Sequence, residues 1–398
     1  MFNDIVKETK KIEDKLIALR RELHKYPEYG SDLPKTKEIV CKFLDDAGIS
    51  YTPNPDDSGL IVDIKGEKSG ESKKTIAFRA DMDALNVTEK TNVEFKSVFE
   101  GRMHGCGHDA HTAALLLVAE ILNKHKEDFC GTVRLLFQSG EETGTGAKKM
   151  LELNAIDNVD AICALHVGNL AGDDLPSGTL VVLPGPVSAG KDKFTITVKG
   201  KGTHSAFPEK GVDPILVAAR IVNACEEIQA RELPAGTAAV LSFGSFQAGM
   251  DHNSIPESAV LKGSIRVQDV NTRNFIGERL KTISENISKA FRAECTVDLK
   301  RGSSTVMNDE NLSELVAKAT TNVLGKEKVT TKISSSLMGS DDFANYAEKI
   351  PGVYFFLCTN NKEKGITKAN HNPEFDIDED VLWEGVAAYV AIAMEYLK

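Results

Sequence analysis

Apolar positions recur at helical spacing through "MFNDIVKETKKIEDKLIALRRELHKYPEYG", which predicts one amphipathic helix over residues 1–25. "YPEYGSDLPKTKEIVCKFLDDAGIS" reads as a turn and a second helix ended by Gly48. "GLIVDIKG" and "KTIAFRADMDAL" are rich in β-branched and apolar residues and predict strands. A strongly apolar helix, "HTAALLLVAEILNKH", follows. "GTVRLLFQSGEETGTGAKKMLEL" reads as strand, glycine-rich turn and helix, and "VDAICALHV" as another strand. Strands alternating with helices predict an α/β sheet covered on both faces.

The pattern changes after "PGPVSAGKDK". "KFTITVKGKG" alternates with period two, "GVDPILVAARIVNACEEIQA" is helical, and "AAVLSFGSFQAG" and "AVLKGSIRVQD" are strands. "TRNFIGERLKTISENISKAF" is a helix and "AECTVDLKRG" a closing strand. This β-α-β-β-α-β order predicts a small ferredoxin-like α+β domain. From "NDENLSELVAKATTNVLG" the α/β character returns. The expected organisation is a mixed-sheet α/β/α domain, residues 1–187 and 301–398, interrupted by the inserted domain at 188–300.

Composition narrows the function classes. A chain of 398 residues is long for one hydrophobic core, which agrees with two domains. Hydrophobic residues make up 41% and charged residues 27%, an ordinary globular balance. The net charge of -11 argues against a nucleic-acid binder, which needs a basic surface. No apolar run is long enough to cross a membrane, and the N-terminus lacks the basic start and apolar core of a signal peptide. Seven scattered cysteines fit reduced thiols and a cytoplasmic protein better than a disulfide framework.

Candidate chemistry concentrates in "MHGCGHDAHT". Cys106 and His108 are two apart, and the flanking glycines allow both side chains to reach one centre. Thiolate and imidazole are good ligands for zinc-class metals. A buried cysteine and a polar helix cap is the alternative. "QSGEETG" holds Glu141 and Glu142. Adjacent carboxylates point in different directions, so one can ligate a metal while its neighbour takes a proton from water. The alternative is a solvated acidic pair at a helix start. His166 ends a strand and His371 lies in "KANHNPEFDIDEDVL"; neither is informative alone. Together, Cys106, His108, Glu142, His166 and His371 exceed the needs of one tetrahedral zinc and suit two metals. Asp81 and Asp83 in "RADMDAL" fit either the orienting of ligating histidines or the capping of a turn.

"RADMDAL", "HGCGHDAHT", "GEE", the His166 strand end, "GTHSAFP", "HNSIPESA", "GSDDF" and "HNPEFDIDEDVL" stand in the order found in the M20 metallopeptidase family. The chain resembles its amidohydrolase branch, which includes hippurate hydrolases, auxin-conjugate hydrolases and N-acyl-amino-acid deacetylases. The resemblance runs roughly from Leu23 to Leu382. It implies two divalent metals per subunit, zinc or manganese, with cobalt or nickel as further options. It implies the ligand set Cys106, His108, Glu142, His166 and His371, with Glu141 as the general acid–base residue and Asp83 as a buried supporting carboxylate. Asp81 stands where peptidase branches usually have a metal-binding histidine. The inserted domain resembles the family's lid, which also mediates homodimerisation. His204 matches a lid histidine that contacts the substrate carbonyl, and Asn253 and Arg266 match lid positions facing the substrate carboxylate.

The sequence departs from the family pattern at Asn86, at Ser139–Gly140 before the glutamate pair, at Asp341 in "DDF", and at Asn370, where an "LHNP"-like run is frequent. None of these removes a ligand. The expected activity is metal-dependent hydrolysis of the amide bond in a small N-acyl amino acid. One alternative is dipeptidase activity at the same site. Two others are a cysteine hydrolase using Cys106 as nucleophile and a non-catalytic, metal-independent acyl-amino-acid binding protein.

Overall fold

In the strand Thr75–Asp81, Ile76, Phe78 and Ala80 belong to one hydrophobic cluster and Ala77 to another. The same alternation separates Val133, Leu135 and Phe137 from Leu136, and Val353, Phe355 and Leu357 from Tyr354 and Phe356. Strands this apolar on both faces are those of a sheet covered on both sides. The computed structural model describes residues 2–70, 73–172, 175–334 and 336–398. It divides the chain into two units. The first comprises Met1–Val187, Val306–Leu337 and Asp341–Lys398, the second Ser188–Thr305 and Met338–Ser340.

The first unit is built on an eight-stranded mixed sheet. Across it the order is Thr52–Pro53, Leu60–Lys65, Thr132–Gln138, Thr75–Asp81, Ala161–Gly168, Gly352–Cys358, Leu180–Val181 and Val329–Thr330. The strands Thr132–Gln138, Thr75–Asp81, Ala161–Gly168 and Gly352–Cys358 run parallel to one another, and Leu60–Lys65 is antiparallel to its neighbours. One face is covered by the helices Glu13–His24, Pro34–Asp46, His108–Lys124, Glu310–Leu324 and Leu382–Tyr396. The other is covered by Gly146–Glu152 and Ala344–Ala347. The helix His108–Lys124 buries Leu115, Leu116, Leu117 and Val118 in succession, so it is enclosed all round. Each such side chain contributes about 1.5–3 kcal/mol of burial.

The expected single helix over residues 1–25 is two helices, Phe2–Lys11 and Glu13–His24. Ile12 between them has φ -98° and ψ 5°, outside helical geometry, so the helical run restarts there.

The second unit has a four-stranded antiparallel sheet in the order Ala239–Ala248, Ser258–Val267, Gly190–Lys199, Glu294–Arg301. Its helices Pro214–Glu227 and Val270–Ala290 supply Val217, Ile221, Ile276 and Leu280 to a core with Ile196, Val198, Leu261 and Ile265. Asp213 and Asp269 cap the two helices by accepting from Ile215 N and Thr272 N. Asp192 is fully buried, pairs with Arg273, and accepts from Arg301 Nη1 at 2.9 Å and Gly302 N at 3.1 Å. Among the described residues no helix is long and apolar enough to cross a membrane.

Candidate metal centre

Asp81, the Glu141–Glu142 pair and His166 lie at or just beyond the carboxyl ends of neighbouring parallel strands, where open α/β sheets present their sites. Cys106 and His108 arrive from the start of the helix His108–Lys124. Gly107 between them has φ +87°, and a Cβ there would lie 2.5 Å from Val167 Cγ2. Only glycine allows this left-handed turn against the strand that carries His166.

The candidate ligands converge. Ligand atoms of Cys106, His108 and His166 lie within 4.8 Å of one another, and so do those of Cys106, Glu142 and His371. Cys106 belongs to both triads. Its Sγ is 3.5 Å from His166 Nε2, and His371 Nε2 is 3.4 Å from Glu142 Oε1. His108 Nδ1 donates to Asp83 O at 2.8 Å and His166 Nδ1 donates to Val167 O at 2.7 Å. Each of these bonds fixes the tautomer that turns Nε2 into the site.

The donor set fits divalent metals. His108 Nε2 is buried with no hydrogen-bond partner. A buried polar atom left in this way needs a partner, which a cation supplies. Burial pushes His166 well below the usual histidine range and keeps it neutral, as ligation requires. At His108 burial opposes ionisation, but Asp81 and Cys106 outweigh it and favour positive charge at that position. His371 is pushed up to about 10 by hydrogen bonding to Cys106 and Glu142. Desolvation opposes ionisation of Glu142, yet the bond to His371 and the charge of His108 hold its carboxyl below the ordinary range.

Glu141 differs from its neighbour. Desolvation, then the charges of Asp341, Asp342 and Glu142, raise its carboxyl well above the ordinary carboxylate range. Its backbone N–H donates to Asp83 Oδ1 at 3.0 Å, and Glu142 N donates to Asp83 Oδ2 at 3.1 Å. One buried carboxylate thus fixes the turn that carries the two glutamates, each of which brings a carboxylate oxygen within 4.8 Å of a His108 nitrogen. The strand ends at Asp81, so Asp81 and Asp83 do not share a continuing strand face. Asp81 Oδ1 accepts from His111 Nδ1 at 2.6 Å, and His111 Nε2 accepts from Val167 N at 2.8 Å. Both nitrogens of His111 are therefore used within the protein.

A buried network stands behind Asp81 and Glu141. Arg79 contacts Asp81 at 2.6 Å, Asp342 at 2.9 Å, Asp341 at 3.2 Å and Gln138 Oε1 at 3.1 Å. Tyr354 donates its hydroxyl to Asp341 at 2.7 Å. A second cluster lies behind His108. Asp109 meets Arg20 at 2.8 Å and His24 at 2.7 Å, and His24 reaches Glu89 at 3.3 Å. His104 is buried beside His24 and driven down to about 3 by that burial, so it is neutral. Sequence reasoning passed over Arg20, His24, Arg79 and Gln138. The available signal was a charged residue inside an apolar stripe: Arg20 falls with Leu16, Leu19 and Leu23 on the buried face of its helix.

His204, Asn253 and Arg266 belong to the second unit. His204 pairs with Ser254 in a short antiparallel ladder, and Ser205 N donates to Asn253 O at 3.0 Å. Both residues are exposed. Arg266 stands apart from them and donates from Nη1 to Met338 O at 3.0 Å.

Comparison with known proteins adds to this geometry. The model of peptidase family M20/M25/M40 matches residues 77–395. Thermostable carboxypeptidase 1 of Saccharolobus solfataricus is 35% identical over 393 residues, 98% of this chain and 97% of that protein. N-acetyl-L-cysteine deacetylase of Bacillus subtilis is 36% identical over 371 residues, 93% of this chain and 85% of that protein. The Bacillus subtilis YXEP protein, described as a dinuclear metal-binding peptidase from the M20 family, superposes with a TM-score of 0.83. Its identity is 33%, over 98% of this chain and 99% of that one. With paired metal-ligand triads on this fold, the chain belongs to peptidase family M20/M25/M40, in its amidohydrolase and deacetylase branch, and is a metal-dependent hydrolase of amide bonds.

Proposed function

We propose that the chain hydrolyses the amide linking an acyl group to the nitrogen of an amino acid. The observation that carries this is the position of Cys106 in both ligand triads, with Glu141 beside the second one. Cys106, His108 and His166 would hold one divalent ion, and Glu142 and His371, with Cys106 beside them, the other. Bound there, the ions supply Lewis-acid polarisation of the amide carbonyl and acidify water at the site. Glu141 takes the proton of the attacking water and delivers it to the leaving amine nitrogen. Its raised pKa suits a group that must both accept and return a proton. Asp83 keeps the Glu141 and Glu142 backbones in place through its two accepted hydrogen bonds.

The β-α-β-β-α-β order of the second unit supports a ferredoxin-like fold, and in this reading the unit is the lid and forms the homodimer contact. In this reading His204 stabilises the developing oxyanion, and Asn253 and Arg266 bind the substrate carboxylate, the latter through its planar fork. Seven free cysteines fit a cytoplasmic protein. A second reading, hydrolysis of dipeptides at the same site, is favoured by the carboxypeptidase relative.

The test is a hydrolysis screen of N-acyl amino acids and dipeptides, with metal supplementation and chelated controls. Glu141→Gln is expected to keep its metals and lose most turnover. Normal hydrolysis by that variant overturns the base assignment. Activity that survives chelation, with a covalent adduct on Cys106, overturns the metal mechanism in favour of a cysteine nucleophile.

A further inference from the structure

His371 differs from the other candidate ligands in how it is held. His108 and His166 are buried, and each is anchored through Nδ1 to a backbone carbonyl. The His371 side chain is 55% exposed, and its ring partners are the prospective co-ligands Cys106 and Glu142. Its placement therefore depends on its backbone. That backbone has φ +71°, a left-handed conformation uncommon for a residue with a side chain. Such a conformation is strained and persists only where the surroundings determine it.

Much of that determination comes from the neighbouring side chain. Asn370 Nδ2 donates to Cys106 O at 3.2 Å and to Val167 O at 3.3 Å, and Asn370 Oδ1 accepts from Asn169 N at 3.1 Å. Val167 O is the carbonyl that also anchors His166 Nδ1. The backbone of His371 completes the lock by donating from N to Gly105 O at 2.7 Å. Gly168 makes room for the carboxamide: its φ is +128°, and a Cβ there would lie 2.3 Å from Asn370 Oδ1. A single amide thus ties together the segments that carry Cys106, His166 and His371.

We propose that Asn370 is a positioning residue for the metal pair, fixing the left-handed backbone of His371 against the Cys106 and Val167 carbonyls and so completing the half-site of Cys106, Glu142 and His371. The inference rests on the dinuclear reading above. It assigns Asn370 no contact with substrate. Its effect falls chiefly on the ion held with His371, because His108 and His166 keep their own Nδ1 anchors without it.

The test is metal binding rather than turnover. Asn370→Leu preserves size and removes all three hydrogen bonds. Asn370→Asp preserves shape and the acceptor but removes both N–H donors. Full-length wild type and both variants are dialysed and titrated with zinc against a chromophoric chelator, with metal content measured directly. Wild type is expected to bind two ions per chain. Both variants are expected to hold one ion within about twofold of wild type and to bind the second at least tenfold more weakly, the usual loss for an outer-shell partner. Two ions bound at wild-type affinity in either variant overturns the positioning role. Equal weakening of both ions overturns it too, since that is the signature of a general structural fault. A wild-type chain that binds fewer than two ions overturns the dinuclear reading itself.

Discussion

Arg20 Nε and Asp109 Oδ2 lie 2.8 Å apart with both side chains fully buried. Arg20 also reaches Glu379 at 3.0 Å and Asp376 at 3.6 Å. One guanidinium therefore joins the helix turn next to His108 to the segment that follows His371. Asp109 is held well below the usual carboxylate range: burial opposes its ionisation, but Arg20 and His24 outweigh it. Removing the arginine leaves that carboxylate charged, buried and without its main counter-charge. Arg20→Met is expected to cost about 3–5 kcal/mol, because the loss is an uncompensated ion rather than a missing bond. Urea unfolding followed by Trp383, which sits in the first unit, measures it. A change under about 1 kcal/mol, the range of a surface pair, contradicts the assignment.

Asp192 gives the second unit an acid-sensitive lock. Burial raises its pKa, yet Arg273, the Gly302 N–H and Arg301 together bring it below the ordinary value. A carboxyl depressed in the folded state contributes stability that is present above the unfolded pKa, about 3.9, and is lost as pH falls through the lower folded value. Amide exchange along Gly190–Lys199, corrected for intrinsic rates, is expected to lose protection as pH drops below about 4. Asp192→Asn is expected to be less protected at neutral pH and to show a flatter acid limb. An unchanged pH profile in that variant rules out the linkage.

Metal removal is expected to expose Cys106. The thiol lies 3.5 Å from His166 Nε2 and belongs to both triads, so bound ions occupy the electron pairs an oxidant attacks. Chain treated with chelator and then peroxide is expected to lose the Cys106 thiol several times faster than metal-loaded chain, read by mass spectrometry of the peptide. Equal rates count against ligation of the sulfur.

Much of this site was legible in the sequence, because its chemistry is written in residue types that rarely cluster by accident. Cys106, His108 and the Glu141–Glu142 pair stand in short motifs, and the strand pattern correctly placed His166 near a strand end. Asp109 and His111, equally conspicuous in the same motif, have other work. Asp109 pairs with a helix more than eighty residues earlier in the chain, and His111 spends both nitrogens on Asp81 and Val167 N. Local pattern cannot distinguish a ligating histidine from one held by hydrogen bonds, since the difference lies in which atoms the fold brings opposite the ring. Arg20 and Arg79 were passed over for a related reason. A charged residue on an apolar stripe is read as a fault in the stripe until its buried partners are known. Ile12 broke the predicted first helix at a position with no proline or glycine to announce it.

The strand Gly352–Cys358 lies between Ala161–Gly168 and Leu180–Val181, although more than a hundred residues of the second unit are made before it. This imposes an order on synthesis. Nearly all of the second unit is contiguous and can complete its sheet while the chain is still on the ribosome. The first unit's sheet stays open along one edge of Ala161–Gly168 until the C-terminal part emerges. Cys106 and His108 are then among the earliest residues of the site to be made and the last to be completed, since His371 and the Arg20 partners Asp376 and Glu379 come near the chain's end. Until the segments carrying His371, Asp376 and Glu379 are made, Cys106 and Arg20 therefore stand without these partners.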